Sequence, residues 1–286
     1  MASNSAGMNP FRGCEPTRAF VWILIACGIG YAAELPTDEI IRRSVAASDR
    51  NWRAAPNWSY KERDADRKGG GNSSKTNRVL MIEGSQYNRL VARNDQPLSP
   101  EEQAAEEKKL REEIRKRKNE SPSERSKRVS KYQQERNQDH AMMLEMVSAF
   151  SFTPAGEEIV RGRPAYVFEA TPKPGYVPKN RDAKVLTGMK GRLWVDKSTF
   201  QWAKVQAEVI RPISFYGFLA KVEPGTSFLL EQAPVTGRIW FPIRLRQQIS
   251  AKALGIINEN RFDEETYSDY KPLSQALLAS LDQRGP

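Results

Sequence analysis

In Trp202-Ala203-Lys204-Val205-Gln206-Ala207-Glu208-Val209, the apolar residues Ala203, Val205, Ala207 and Val209 alternate with Lys204, Gln206 and Glu208. A period of two places alternate side chains on opposite faces of a strand, so one face is dry and the other wet. Ile239, Phe241, Ile243 and Leu245, set against Arg244 and Arg246, repeat the pattern. Working outward, residues 157–161, 164–170, 191–196, 227–232, 238–250 and 258–267 also read as strands, bounded by glycine, proline and polar turns. From Phe150 onward the expectation is therefore an antiparallel sheet with one apolar face. Such a face encloses either a packed core or a hollow, and alternation alone leaves both open.

Upstream the pattern is mixed. Pro36-Thr37-Asp38-Glu39 opens a helix, with Thr37 as N-cap and Ile40, Ile41, Val45 and Ala46 at helical spacing, that runs to about Ala55. Residues 58–67 read as a strand and 68–74 as a flexible loop. Its glycines do not make a phosphate loop, because Ser74 stands where a glycine must precede Lys75-Thr76. Strands 76–83 and 87–94 pair around Gly84-Ser85. Ser99-Pro100-Glu101-Glu102 and Ser121-Pro122-Ser123-Glu124 are capping boxes with proline at the first helical position, and they start a charged helical hairpin over 99–147. Its first helix offers one large apolar pair, Leu110 and Ile114, too little for burial. The hairpin is expected to be solvated and dispensable for folding, with a methionine-rich end returning to the sheet, or else to be a partner-binding arm or lid.

The N-terminus reads as a targeting segment. Arg12 and Arg18 precede an apolar run over 19–25, and the small residues Gly28, Gly30, Ala32 and Ala33 follow, so residues 1–32 are expected to be a signal peptide. The apolar stretch is shorter than the roughly 20 residues that span a bilayer. Leu24-Ile25-Ala26-Cys27-Gly28 offers a second route, because it resembles a lipobox with Cys27 as the lipidated residue. Both cysteines, Cys14 and Cys27, precede Ala33, so a chain cleaved after Ala32 has no thiol. With His140 as the sole histidine, zinc binding and Ser-His-Asp catalysis lack ligands and a base. The acid pairs Glu157-Glu158 and Glu264-Glu265 are adjacent on strands, point to opposite faces, and cannot flank one substrate bond. The reading is thus no enzyme, no metal and no cofactor. Cleavage after Ala32 removes Arg12, Glu15 and Arg18 and takes the formal charge from +10 to +9. The bases are interspersed with acids rather than gathered with aromatics, so nucleic acid is not the expected partner. Contact with an anionic membrane surface and simple solubility both remain open.

Gly191-Arg192-Leu193-Trp194-Val195-Asp196-Lys197, followed by Phe200-Gln201-Trp202 and the long alternating strand, resembles the LolA/LolB-like lipoprotein carriers and their RseB-like relatives. Gly162-Arg163-Pro164-Ala165-Tyr166-Val167-Phe168-Glu169-Ala170 looks like the strand that those proteins place before it. The resemblance implies a mainly β, α+β fold: an unclosed antiparallel β-barrel with a covering N-terminal helix and, here, an inserted charged hairpin. It places the β domain at 33–272, with a C-terminal tail at 273–286. It further implies a periplasmic carrier of lipid or of the acyl chains of lipoproteins, or an envelope sensor that uses the same sheet and signals through a protein partner; the charged hairpin at 99–147, which departs from the family pattern, is a separate candidate site for a protein partner.

On that reading Val205, Ala207, Val209, Phe215, Phe218, Phe241, Ile243 and Leu245 line a groove for the ligand, with no catalytic residue among them. The apolar segment 213–222 is an entrance rim, a membrane-touching loop or a buried strand. Intact mass of the exported protein should match a chain beginning at Ala33. A species beginning at an acylated Cys27 would instead make this a tethered lipoprotein.

Overall fold

The computed structural model describes residues 35–68, 71–215, 220–253 and 257–273. The chain divides into Met1–Glu34 and Leu35–Pro286, and the described residues all belong to the second unit. The signal segment, Cys27, Phe218 and all but the first residue of the tail lie outside the described residues.

The strands are β1 (Trp58–Lys68), β2 (Gly71–Ile82), β3 (Ser85–Arg93), β4 (Gln96–Pro97), β5 (Phe150–Val160), β6 (Arg163–Pro172), β7 (Met189–Asp196), β8 (Trp202–Val209), β9 (Ile213–Phe215), β10 (Ala220–Val222), β11 (Ser227–Thr236), β12 (Ile239–Ala253) and β13 (Ile257–Pro272). They form one antiparallel sheet in the order β4-β3-β2-β1-β13-β12-β11-β8-β7-β6-β5, and β4 and β5 remain unpaired edges. The sheet does not close, so the unclosed barrel expected from the sequence is what forms. Segment 213–222 supplies a short hairpin beside it, β9 pairing with β10 and β10 with β12, and Ile213 is buried.

The Gly191–Lys197 stretch is explained by this sheet. A side chain at Gly191 would meet the Gln206 carbonyl oxygen at 2.6 Å, so glycine permits the close approach of β7 to β8. Asp196 is 1% exposed, and its carboxylate accepts from Arg163, Ser198 and Thr199 across the turn into β8. Burial opposes its ionisation, but the Arg163, Thr199 and Ser198 donors outweigh that and hold the carboxyl down to about 2. This aspartate locks a turn.

Helix α1 (Thr37–Ala54) lies on one face of the sheet. Pro36 is its N-cap and Thr37 its first helical residue, one position earlier than the sequence suggested. Its buried side is Ile40, Ile41, Ser44, Ala47, Ser48 and Asn51, while Ala46 is exposed. Polar groups therefore dock this helix as much as apolar ones do. The Trp202 indole donates to Ser44 Oγ at 2.9 Å, Asn51 Nδ2 donates to Gln201 Oε1 at 2.7 Å, and Asn51 Oδ1 accepts from the Trp240 backbone N–H at 3.0 Å. Loop 68–74 is shorter than expected: Gly71 to Ser74 pair with β1, in the ladder that joins Ala65 to Ser74 and Lys68 to Gly71.

Helices α2 (Pro100–Lys118) and α3 (Pro122–Ala149) carry the two expected capping boxes. The expectation that the first helix of the hairpin has too little apolar surface for burial is corrected here. Leu110 is fully buried against Leu80 and Ile82, with Tyr87 and Ile114 around them. Arg117, 6% exposed, donates to the carbonyls of Ile82, Ser85 and Gln86, and Arg128 donates to Glu83 O and Ser85 Oγ. The β2–β3 turn, with positive φ at Glu83 and Gly84, is thus held by guanidinium groups from both helices. The charge that made the hairpin look solvated is part of its attachment. Leu110→Ala should cost about 2–5 kcal/mol in denaturant unfolding. A cost below 1 kcal/mol would show that the hairpin stands free of the sheet.

Candidate functional site

One row of paired residues crosses nine strands. It runs Phe168, Leu193, Val205, Leu230, Leu245, Glu265, Asp64, Lys75, Arg93 from β6 to β3. Cross-strand partners share a face, so the row is a section through the inner side of the sheet. Phe168 and Leu193 lie in the main core cluster with Ile40 and Ile41 of α1, and Met143, Met146, Val147 and Val205 pack against it. This identifies the inner side as the one facing α1 and the end of α3. Along the row the chemistry passes from packed apolar, through Leu230 and Leu245, to carboxylates and then bases.

Helix α3 has both ends in contact with the sheet. At its start a side chain at Gly84 would meet Val129 at 3.2 Å, and Arg125 pairs with Glu83 at 2.8 Å. In its middle His140 stacks on Trp52 of α1 at 4.4 Å, and the Arg136 guanidinium lies 4.6 Å from the same indole. Its end packs on β5 to β8 through Met143, Met146, Val147 and Ala149. With 28 residues it is about 42 Å long, enough to cross an open sheet of this kind.

The residues expected to line one groove fall into four groups. Val205 and Ala207 border an apolar hollow of about 40 Å³ under Met146, Val147, Phe150 and Phe152, room for little more than a water-sized group. Val209 is buried in a packed cluster with Ile213, Leu186 and Met189, and Phe215 leans on it. Phe241 belongs to a separate aromatic hollow. Ile243 and Leu245 are partly buried, as are Phe228, Leu230 and Ile249, and none of these five joins the packed clusters found among the described residues.

The aromatic hollow, about 240 Å³, is lined by Trp58, Tyr60, Phe241, Tyr267 and Tyr270, with Ala55 and Pro242. The rings form an arc: Trp58 to Phe241 at 5.7 Å edge-on, Phe241 to Tyr270 stacked at 5.1 Å, Tyr270 to Tyr60 at 5.3 Å, Tyr60 to Tyr267 at 5.9 Å. Tyr270 donates its hydroxyl to Pro242 O at 2.6 Å and Tyr267 donates to Glu265, which fixes both rings. Glu62 pairs in register with Tyr267 and so shares the inner face. Burial first, then the Glu265 and Asp64 carboxylates, push the Glu62 carboxyl up to about 7. Burial likewise raises the Tyr60, Tyr267 and Tyr270 hydroxyls.

Sequence reasoning found Phe241 and missed the other four rings. They come from β1 and β13, strands distant in sequence, and bear no local signature. No group of His, Cys, Asp and Glu among the described residues is arranged to hold a metal, and no helix among them is long and apolar enough to cross a membrane.

No protein-family model matches this chain, and no curated protein does. Solved structures do. A domain described as that of an outer membrane lipoprotein-sorting protein from Vibrio parahaemolyticus matches with TM-score 0.33 and 11% identity, over 81% of this chain and 92% of that one. A DUF1329 family protein from Desulfovibrio piger matches with TM-score 0.32 and 12% identity, over 84% and 94%. A LolA superfamily protein from Nitrosomonas europaea matches with TM-score 0.29 and 13% identity, over 83% and 94%. These structures include the family that the sequence resembles, and overlap at this level transfers no role to this chain.

Glu62 gives a test of the inner face. Its folded carboxyl titrates near 7, above the ordinary value of 4.5, so the folded state keeps a proton that the unfolded chain has lost between those values. Stability contributed by Glu62 therefore falls as pH rises through that window. Glu62→Gln should match the wild type near about pH 4 and exceed it above about pH 7 by roughly 1–2 kcal/mol, allowing for partial solvation. Equal stability at both ends in denaturant titrations would place this carboxylate in bulk water.

Proposed function

We propose that this protein is a non-enzymatic binding protein of the bacterial cell envelope, exported to the periplasm, that holds an acyl chain of a lipid or lipoprotein along the inner face of its open sheet. The observation that carries this reading is the stripe Val205–Leu230–Leu245, continuous with the packed core at its first residue and outside it at the other two. An apolar chain laid on this stripe gains roughly 25 cal/mol per Å² removed from water, without specific polar contacts. The hollow beside Val205 is too small for such a chain, so the ligand lies toward β11 and β12 rather than under the end of α3. Tethering through a lipidated Cys27 is compatible with the same role.

The alternative is a sensor that acts through a protein docked on the 99–147 hairpin. It draws on that hairpin's charged outer face, where Lys108, Arg111 and Lys131 are exposed. Each of these has an acid one turn away, Glu112, Glu107 and Glu135, so much of the charge is answered within its own helix. The inner stripe has no such internal answer, and the acyl-chain reading is preferred.

A fluorescent fatty acid titrated into the full chain should bind, and Leu245→Gln should weaken it about tenfold or more, while costing little stability because Leu245 is already partly exposed. Unchanged affinity in a folded Leu245→Gln protein would sink the acyl-chain reading. A stoichiometric protein partner from envelope extracts, with no bound lipid in native mass spectrometry, would favour the sensor.

A further inference from the structure

The rings of the aromatic hollow differ in one respect from many of the other aromatic side chains of this basic protein. Elsewhere the protein's own cations sit on ring faces: Lys204 and Arg192 on Trp194 at 4.4 and 5.7 Å, Arg163 on Trp240 at 5.3 Å, Arg117 on Tyr87 at 5.7 Å, Arg43 on Phe200 at 5.0 Å and Lys197 on Tyr166 at 4.8 Å. Among the described residues, no Lys or Arg lies over Trp58, Tyr60, Phe241, Tyr267 or Tyr270. The charged groups that act on Tyr60, Tyr267 and Tyr270 are instead carboxylates, Glu62 and Glu265.

Several ring faces around one hollow, with Glu62 paired opposite Tyr267 and Glu265 accepting from the Tyr267 hydroxyl, attract a cation by two cooperating effects. The quadrupole of each ring places negative potential over its face, and the contribution rises when the site is partly dry. A carboxylate beside it adds direct Coulomb attraction, strengthened by reduced solvent screening. A strongly hydrated ammonium loses much of its hydration on entering an apolar box. A methylated ammonium loses less and also gains apolar contact, which selects it over a primary amine. Trp58, Tyr60, Tyr267 and Tyr270 are each partly exposed, so a ligand reaches the rings from solvent, and the hollow of about 240 Å³ is formed before it arrives.

We infer that the hollow bounded by Trp58, Tyr60, Phe241, Tyr267 and Tyr270 is a binding site for a methylated ammonium group, with Glu62 as its counter-ion. The site stands on its own residues and goes beyond the acyl-chain reading, since a ligand without any acyl chain fills it. The chemistry is shared by two sources: the choline headgroup of a phospholipid and a free quaternary amine.

The experiment uses the full chain, with choline and its neutral isostere 3,3-dimethyl-1-butanol titrated in parallel by calorimetry and ligand-observed NMR. Choline should bind, with the isostere at least about tenfold weaker, which corresponds to about 1.4 kcal/mol for the charge alone. Glu62→Gln, which leaves every ring in place, should weaken choline several-fold and leave the isostere unchanged. Tyr60→Leu should weaken choline about tenfold; if that variant does not fold, the two probes and Glu62→Gln decide the question without it. Vesicles of phosphatidylcholine and of phosphatidylglycerol separate the sources. Binding to the former that free choline competes away assigns a lipid headgroup, and choline binding with no vesicle preference assigns a soluble amine. No choline binding to the folded protein, or equal affinity for choline and its isostere, overturns the proposal. Fatty-acid binding involves no cation, so either result leaves the acyl-chain reading to its own test.

Discussion

The open edge of the sheet is the constraint from which the rest follows. A closed barrel satisfies every strand and fixes its interior by symmetry of construction, whereas here β4 and β5 end the sheet and another element must fix its curvature. That element is α3. Its start is tied to the β2–β3 turn, where Arg117 of α2 and Arg128 answer carbonyls that a tight turn leaves unpaired, and its end is buried in the core on β5 to β8. Hydrogen bonds from a charged donor contribute more than neutral ones, about 1.5–3 kcal/mol each, and Arg117 makes several from a buried position. The helix can then span the inner face without filling it.

This division of labour explains why the apolar residues of the sheet have unequal fates. Near β6 to β8, α1 and the end of α3 cover them, and Phe168, Leu193 and Trp202 are buried. At β11 and β12 the strands continue the same alternation, yet Leu230 and Leu245 are only partly buried. Nothing in the strands themselves marks the change. It is set by how far the helices reach.

The sheet and the helices that cover it were therefore legible in the sequence, and the contacts that dock those helices were not. Alternation in 202–209 and 238–250 identified the strands because backbone pleating imposes a period of two whatever the strand packs against. Burial on α1 did not follow apolarity: Ser44 and Asn51 are buried because Trp202, Gln201 and Trp240 offer them partners, and those partners lie about 150 residues or more away in the chain. Arg117, one charge among many in α2, is buried for the same reason. A buried arginine looks like an exposed one until the carbonyls it answers are known. Likewise the groove expected at eight positions is divided in the structure, since Val209 is locked in a packed cluster with Ile213 while Phe241 faces another set of strands.

Local departures from regular pairing finish the site. The β1–β13 ladder shifts register between Ser59 and Lys61, and the β11–β12 ladder shifts between Glu231 and Gln232. An extra residue in a strand increases its twist and re-aims the side chains beside it. Tyr60 occupies the first shift and meets both Tyr267 and Tyr270, which lie three residues apart and would point to opposite faces of a regular strand; they share one arc because the backbone between them is irregular, with positive φ at Asp269. The irregular end of the sheet is thus where aromatic and acidic groups converge, and the regular middle is where the stripe is aliphatic. On the two proposed readings the aliphatic stripe from Val205 to Leu245 takes an apolar chain, and the aromatic end beside Glu62 takes a cation.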